Sequence, residues 1–423
     1  MTTQTPHRLL LAILIGIGIG IFLGGLAPQV GTAIKLVGEL FLRALFLMVI
    51  PLVMSSIIVG VSSIGDVRKL GRLGFQTIIY FMMTTGLAVL IGLWLVLMIQ
   101  PGVTNNPEGS HQETEAGQVL SEHFKDQPTT IGELFRTILI SLVPQNLFAA
   151  LVNADVLPLI VFSLLFGGVL TTLGERGRLV IQFFTGVNEA IMAMVHLLMW
   201  VAPVGIGALL AGRLGEAGGF GGFWPQVTQL GAYTTTVLIA LLIHGVVILP
   251  LILRFIGKQG GWGYAKNVGA ALTTAFSTSS SSATLPLTIE SVVEQQGISP
   301  RIAGFVLPLG ATINMNGTAL YEAVAAMFIA QTYHIHLGLG QAIIIFLTAT
   351  LAAVGAAGIP EAGLVTMAIV LQAVNLPLEG ISLLLVIDWF LDRCRTTVNV
   401  WGDVVGAAVI HQLSHHDKTG PKS

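Results

Sequence analysis

Stretches of twenty or more residues pass with scarcely an ionisable side chain, and they recur from one end of the chain to the other. A helix needs about 20 apolar residues to cross the hydrocarbon core of a bilayer. Runs of that length stand near 9–27, 40–64, 76–100, 137–172, 181–211 and 227–256. Only 9% of the 423 residues are charged, where an ordinary soluble domain carries about a quarter. So few charges cannot keep a surface wet, and the chain reads as an all-α polytopic membrane protein whose partner is the lipid bilayer. A net charge of −2 without charge runs sets aside nucleic-acid binding and disorder. The one cysteine, Cys394, leaves no disulfide framework and no cysteine zinc site. Arg8 before the first run resembles a signal peptide, but the run is long and lacks a small-x-small cleavage site, so it reads as a retained helix.

Lys and Arg set the orientation. Arg8, the group Arg68, Lys69 and Arg72, the pair Arg176 and Arg178, the set Arg254, Lys258 and Lys266, and Lys418 and Lys422 fall on alternate sides of successive spans. These sites share the cytoplasmic face, so both termini are expected inside. The acidic, polar segment 101–135 is expected outside as a mobile loop.

Four less uniform stretches follow, near 262–296, 300–331, 338–373 and 380–412. Two of them are broken in the middle by small residues, at Ser277 to Ala283 and at Gly355 to Gly363. Read as hairpins entering from opposite faces, each followed by a long helix, they form inverted units that build a site at the bilayer midplane. Two ordinary helices with weak middles would be the plainer arrangement.

Ionisable groups inside a membrane span are costly and point to function. The last helix carries Asp388, Asp392, Arg393, Arg395 and Asp403. Asp392, Arg395, Asn399 and Asp403 lie 4, 7, 11 and 15 residues beyond Asp388. At about 100° per residue they share an arc of roughly 80°, with Thr396 at its edge and Arg393 pointing away. A structural salt bridge accounts for Arg395 with Asp392; two surplus carboxylates on the same face call for bound cations. The seventh span holds Asn314-Met315-Asn316-Gly317-Thr318, a run of poor helix formers whose unwinding would free carbonyls for a hard cation. Glu322 sits four residues on in apolar surroundings. Burial disfavours its charged form, so it is either a proton carrier or a protonated structural acid. The first hairpin tip, Ser277 to Pro286, offers hydroxyls and amide N–H groups to an anion. The second, Ala353 to Gly363, offers exposed backbone and flexibility suited to a gate, or small residues for close packing. His196, His244 and Arg43 read as satisfied or snorkelling residues.

At these motifs the sequence resembles the glutamate transporter family, the dicarboxylate/amino acid:cation symporters. The resemblance is carried by Thr278 to Pro286, Ala311 to Ala323, Gly358-Ile359-Pro360 and Asp392 to Val400, and covers nearly the whole chain. The Ser279 to Ser282 tip, Arg393 and Glu322 look like the excitatory amino acid transporter branch; the short external loop looks more like a prokaryotic member. The resemblance implies a homotrimer in the plasma (inner) membrane and an elevator-type mechanism, with eight transmembrane helices and two re-entrant hairpins. Residues 1–72 and 136–225 would be scaffold. Residues 73–100 and 226–413 would be the moving transport domain, with loop 101–135 outside and tail 414–423 in the cytoplasm. It implies that Arg395 binds a side-chain carboxylate and Asp392 an ammonium group. Asn399, Thr318, Thr396 and Gly363, with backbone at Ser279, Ser280, Ser281 and Ile359, would complete an acidic amino acid site. One sodium would sit at Asp403 with carbonyls of Gly310, Asn314 and Asn399, and a second at Thr312 with carbonyls of Ala353, Val354 and Ala356. A third would use Phe81, Thr84, Thr85, Asn314 and Asn316. Here the chain departs from the family, which usually has Asp where Asn316 stands. Proton and potassium are the other coupling ions implied, with Glu322 as proton carrier. A C4-dicarboxylate symporter, a neutral amino acid exchanger, an ion channel and an intramembrane enzyme are the competing readings.

Overall fold

Proline and glycine punctuate the apolar runs. Helix α1, Pro6–Leu26, gives way to α2, Pro28–Ser63, at Ala27, with Pro28 in the first helical position where its missing N–H costs nothing. Gly174 and Gly219 take φ of 56° and 93° immediately before α6 and α7, a conformation open to glycine and strained for other residues. The computed structural model describes residues 6–63, 71–103, 136, 139–140, 142–153, 155–356, 358, 360 and 362–416. Among the described residues every regular element is a helix.

After α2 come α3 (Gly71–Ile99), α4 (Leu147–Asn153), α5 (Val156–Thr172), α6 (Glu175–Glu216) and α7 (Phe220–Leu242). A π-helical turn, Ile243–Ile248, joins α7 to α8 (Leu249–Phe255), and α9 (Gly261–Asn267) follows. The run 137–172, expected as one span, is therefore broken within its described part, into α4 and α5 either side of Asp155. Helices α2, α3, α6 and the run Trp224–Phe255 are long and apolar enough to cross a membrane. Their outward faces carry large apolar side chains such as Leu47, Met83, Leu197 and Phe255, which suits contact with lipid rather than water.

Helices α1, α2, α5 and α6 pack on one another. The α1–α6 seam is a small-residue contact: a Cβ added at Gly16, Gly20 or Gly24 would come 2.1, 2.2 or 2.4 Å from the carbonyls of Pro203, Gly207 and Ala211. Such spacing of small residues lets backbones approach where no hydrophobic force drives helices together.

The remaining elements surround a buried helix. The pair α10 (Gly269–Thr278) and α11 (Ser281–Glu290) turns at Ser279–Ser280, inside the break read from the sequence. Helix α12 (Pro300–Ile313) is followed by α13 (Asn316–Thr332), which is buried along almost its whole length. The pair α14 (Leu339–Ala352) and α15 (Ala362–Ala373) is joined through a 3₁₀ turn, Ala353–Gly355. The last helix, α16, runs Ile381–His416 and packs on α12, α13, α10 and α7. Residues 64–70, 104–135 and 417–423, which include Arg68, Lys69 and most of the expected outer loop, lie outside the described residues.

Candidate functional site

The site is assembled where three helix interruptions meet one face of α16. The first is the α10–α11 turn. Ser279 takes φ 52°, ending α10, and Ser280 caps α11 by accepting from Ala283 N at 3.1 Å. Ser280 Oγ also donates to the Gly358 carbonyl at 2.6 Å, and Ser282 N donates to the same oxygen at 3.0 Å. The serine run thus does two jobs: Ser280 fastens the α10–α11 turn to Gly358, while Ser279 and Ser281 line the pocket. Gly358 is fixed by close approach, since a Cβ there would lie 2.5 Å from Ser282 Oγ and 2.6 Å from Ala311 O.

The second interruption is Asn314–Met315, where φ/ψ leave the helical region (−99°/66° and −95°/52°). The unwound step is shorter than the sequence suggested, because Asn316 and Gly317 already open α13. Gly317 is needed for proximity instead: its Cβ would stand 2.7 Å from the Arg395 carbonyl. Its N–H donates to Asn399 Oδ1 at 2.7 Å and to Asn316 Oδ1 at 2.9 Å. Asn399 Nδ2 in turn donates to Thr318 Oγ1 at 3.1 Å. The third interruption, around Gly358, includes Ile359, which lies outside the described residues.

On α16 the expected charged face is realised. Arg395 is fully buried, with NH2 2.8 Å from Asp392 Oδ1 and NH1 3.0 Å from Asp388 Oδ1. Its guanidinium lies 3.9 Å from the centroid of the Tyr321 ring, an added cation–π attraction in a dry setting. Arg395 thus pairs with Asp388 as well as Asp392, so one guanidinium serves two carboxylates, and Asp403 stands apart from it. Asp403 Oδ1 accepts from Asn314 Nδ2 at 2.9 Å and sits where a Cβ at Gly310 would be, 2.3 Å away. Arg393 points away, as its register requires, and donates to the carbonyls of Phe276 and Ser277 at 3.1 and 2.8 Å. A cation there satisfies the open C-terminal end of α10. Glu322 is buried and accepts from the Thr366 hydroxyl of α15, while its Oε2 has no protein partner.

These elements line a small pocket, with Ser279, Ser281, Met315, Thr318, Ala356, Gly358, Gly363, Asp392, Thr396 and Asn399 on its wall. Seven of the ten expected substrate residues are therefore on its wall. Arg395 lies behind Gly363, whose added Cβ would come 3.0 Å from its NH1. Glycine at that position leaves the guanidinium a path to the pocket. Met315 and Gly358 were not among the expected substrate residues, although both stand in motifs already singled out.

The cation candidates divide. Among the described residues no three His, Cys, Asp or Glu cluster to hold a metal ion. A cation here would meet one carboxylate and neutral oxygens, which suits a hard ion of low charge. Beside Asp403, Asn314 Oδ1 is buried without a protein partner, as is Thr85 Oγ1 on α3. Thr84 and Thr312 donate to carbonyls in their own helices, and Phe81 fills an apolar cluster with Tyr80. Ala353, Val354 and Ala356 are buried in and just after the 3₁₀ turn, beside α12. Asn316 turns Oδ1 to Gly317 and leaves Nδ2 unpartnered, where a Cβ at Gly402 would lie 2.5 Å from it.

Broken helices that set a buried ion cluster beside a small polar pocket inside an apolar bundle suit the passage of a small solute. A family model described as the sodium:dicarboxylate symporter family matches residues 9–413, and the chain belongs to that family. It is 40% identical to excitatory amino acid transporter 1 of Ambystoma tigrinum over 90% of this chain and 77% of that protein. It is also 40% identical to human excitatory amino acid transporter 3, over 89% of this chain and 78% of that protein. The family and these relatives are transporters, and with its long apolar helices the chain is a multi-pass membrane protein.

Proposed function

We infer that the protein is a secondary active symporter of acidic amino acids, glutamate or aspartate, driven by sodium. The observation that carries this reading is the buried Asp388–Asp392–Arg395 cluster behind a pocket closed by two hairpin tips. A guanidinium forks onto a carboxylate with two parallel hydrogen bonds. Arg395 has a path past Gly363 to a substrate side-chain carboxylate, and that contact would replace part of its pairing with Asp388 and Asp392. Asp392, released in the same exchange and already on the pocket wall, would take the ammonium group. Asn399, Thr318, Thr396 and the amides of Ser279 to Ser281 would hold the α-carboxylate. A plain dicarboxylate has no use for Asp392, which argues for an amino acid over succinate.

Sodium would be held at Asp403 with Asn314, Gly310 and Asn399, and at Thr312 with the turn around Ala353. At Phe81, Thr84, Thr85, Asn314 and Asn316 a third ion would meet an amide instead of a carboxylate and bind weakly. Glu322 would carry a proton, with potassium as a candidate counter-ion for the return step. The protein would work as a homotrimer in the plasma membrane with both termini cytoplasmic. The helices of 73–100 and 226–413 would move as a body along the scaffold of 1–72 and 136–225. The test is uptake of labelled aspartate into proteoliposomes with sodium, proton and potassium gradients imposed one at a time. Accumulation driven by sodium and not displaced by succinate is expected. Current without accumulation, or equal competition by succinate, would overturn the reading.

A further inference from the structure

The last turn of α6 reaches across to helices of the other group. Arg213 is half-buried, and its guanidinium donates to acceptors of that group. Nε meets Ser382 Oγ at 3.1 Å, and NH2 meets Tyr333 OH at 3.2 Å and the Glu379 carbonyl at 2.9 Å. Tyr333 follows the end of α13, Glu379 lies in a 3₁₀ turn before α16, and Ser382 is in the first turn of α16. Ser382 Oγ also donates to the Glu379 carbonyl at 2.6 Å, so the acceptors are themselves tied into one unit. On its other flank the same turn of α6 is fastened to α2 by the Lys35–Glu216 ion pair. One side chain on a braced mount therefore holds together the end of α13 and the start of α16, the two helices that carry the site.

We propose that Arg213 is a conformational latch, engaged only when the site-bearing helices sit at this level of α6, and that it sets the resting balance between the two orientations of the transporter. This rests on the reading that those helices move relative to α2 and α6. A displacement that carries the pocket across a core about 30 Å thick exceeds the reach of any side chain, so these bonds break together. By the loop charges of the sequence, the C-terminal end of α6 faces outside, so the latch favours the outward orientation. Hydrogen bonds to a charged donor are the stronger kind, and removing this one should shift the balance by about tenfold.

The experiment places spin labels at cysteines introduced at Leu179 of α6 and Leu339 of α14, both well exposed, in a Cys394→Ala chain reconstituted in lipid. Distance distributions are then compared for Arg213, Arg213→Met and Tyr333→Phe, with and without sodium and aspartate. Two populations are expected, with the one matching this structure reduced about tenfold in Arg213→Met and less in Tyr333→Phe. Two populations that respond to sodium and aspartate but are unmoved by either substitution would overturn the latch and leave the transport reading intact. A single distance in every sample would overturn the motion itself, and the latch with it.

Discussion

Replacing Gly358 with alanine tests whether the contact between this residue and the α10–α11 turn retains the substrate. The new Cβ would lie 2.5 Å from Ser282 Oγ and 2.6 Å from the backbone carbonyl of Ala311. The serine can rotate away; the carbonyl cannot move without α12. The tip must therefore lift, stretching the hydrogen bonds from Ser280 Oγ and Ser282 N to the Gly358 carbonyl. Each such bond contributes about 1 kcal/mol, and overpacking of this kind costs about 1–3 kcal/mol. A net loss of about 2–3 kcal/mol in the closed state corresponds to about 30- to 150-fold weaker substrate binding. Calorimetric titration of purified protein with aspartate in sodium measures it directly. Gly304→Ala is the control, because a Cβ there meets nothing within 4 Å; it should leave affinity unchanged and stabilise α12 by up to about 1 kcal/mol. If Gly358→Ala binds aspartate as tightly as Gly304→Ala, the tips do not form the closure described.

Arg395→Cys should lower acidic substrate uptake at least about thirtyfold and admit neutral amino acids such as serine, read by competition with labelled aspartate. It should also lower the melting temperature, because it strands Asp388 and Asp392 as buried carboxylates without their cation. Asn316→Asp should put a carboxylate near Asn314 and steepen the sodium dependence of uptake. Three sodium ions per substrate in the native chain, measured by reversal potentials in proteoliposomes, is the result that would count against this argument. Glu322→Gln keeps an oxygen to accept from Thr366 and so should fold; uptake should lose its pH dependence while still requiring sodium, and an unchanged pH profile would remove Glu322 as the proton carrier.

Much of this arrangement was legible because helix geometry is strict. The offsets of Asp392, Arg395, Asn399 and Asp403 from Asp388 admit one shared face, and small or hydroxylated residues in apolar runs mark where helices stop. Partnerships between helices were not legible. Nothing in the spacing says that Asp388 and Asp392 both close on Arg395 from above a tyrosine ring, since the third party, Tyr321, comes from α13. Gly317 was read as a helix breaker, yet its role is to let the backbone of α16 approach, a requirement that exists only once the two helices are packed. The break at Asp155 was missed because hydropathy is indifferent to a change of direction inside an apolar run. One further signal was there to be read: Gly16, Gly20 and Gly24 stand four apart and draw the α1–α6 seam.

A π turn holds one residue more than the α turn it replaces, and the carbonyl it exposes needs another donor. In Ile243–Ile248 that carbonyl belongs to Gly245, and it accepts the indole N–H of Trp401 at 2.9 Å. Six residues here cover the rotation that five cover in a regular α-helix, so the segments on either side keep their facing. A one-residue deletion within the turn should therefore be absorbed locally, with Leu249 and Leu253, both fully buried, held on the face they now fill. What it would disturb is the indole contact, which ties this helix to α16 six residues beyond Arg395. Descendants of this chain should accordingly change length at this turn more readily than elsewhere along the helix.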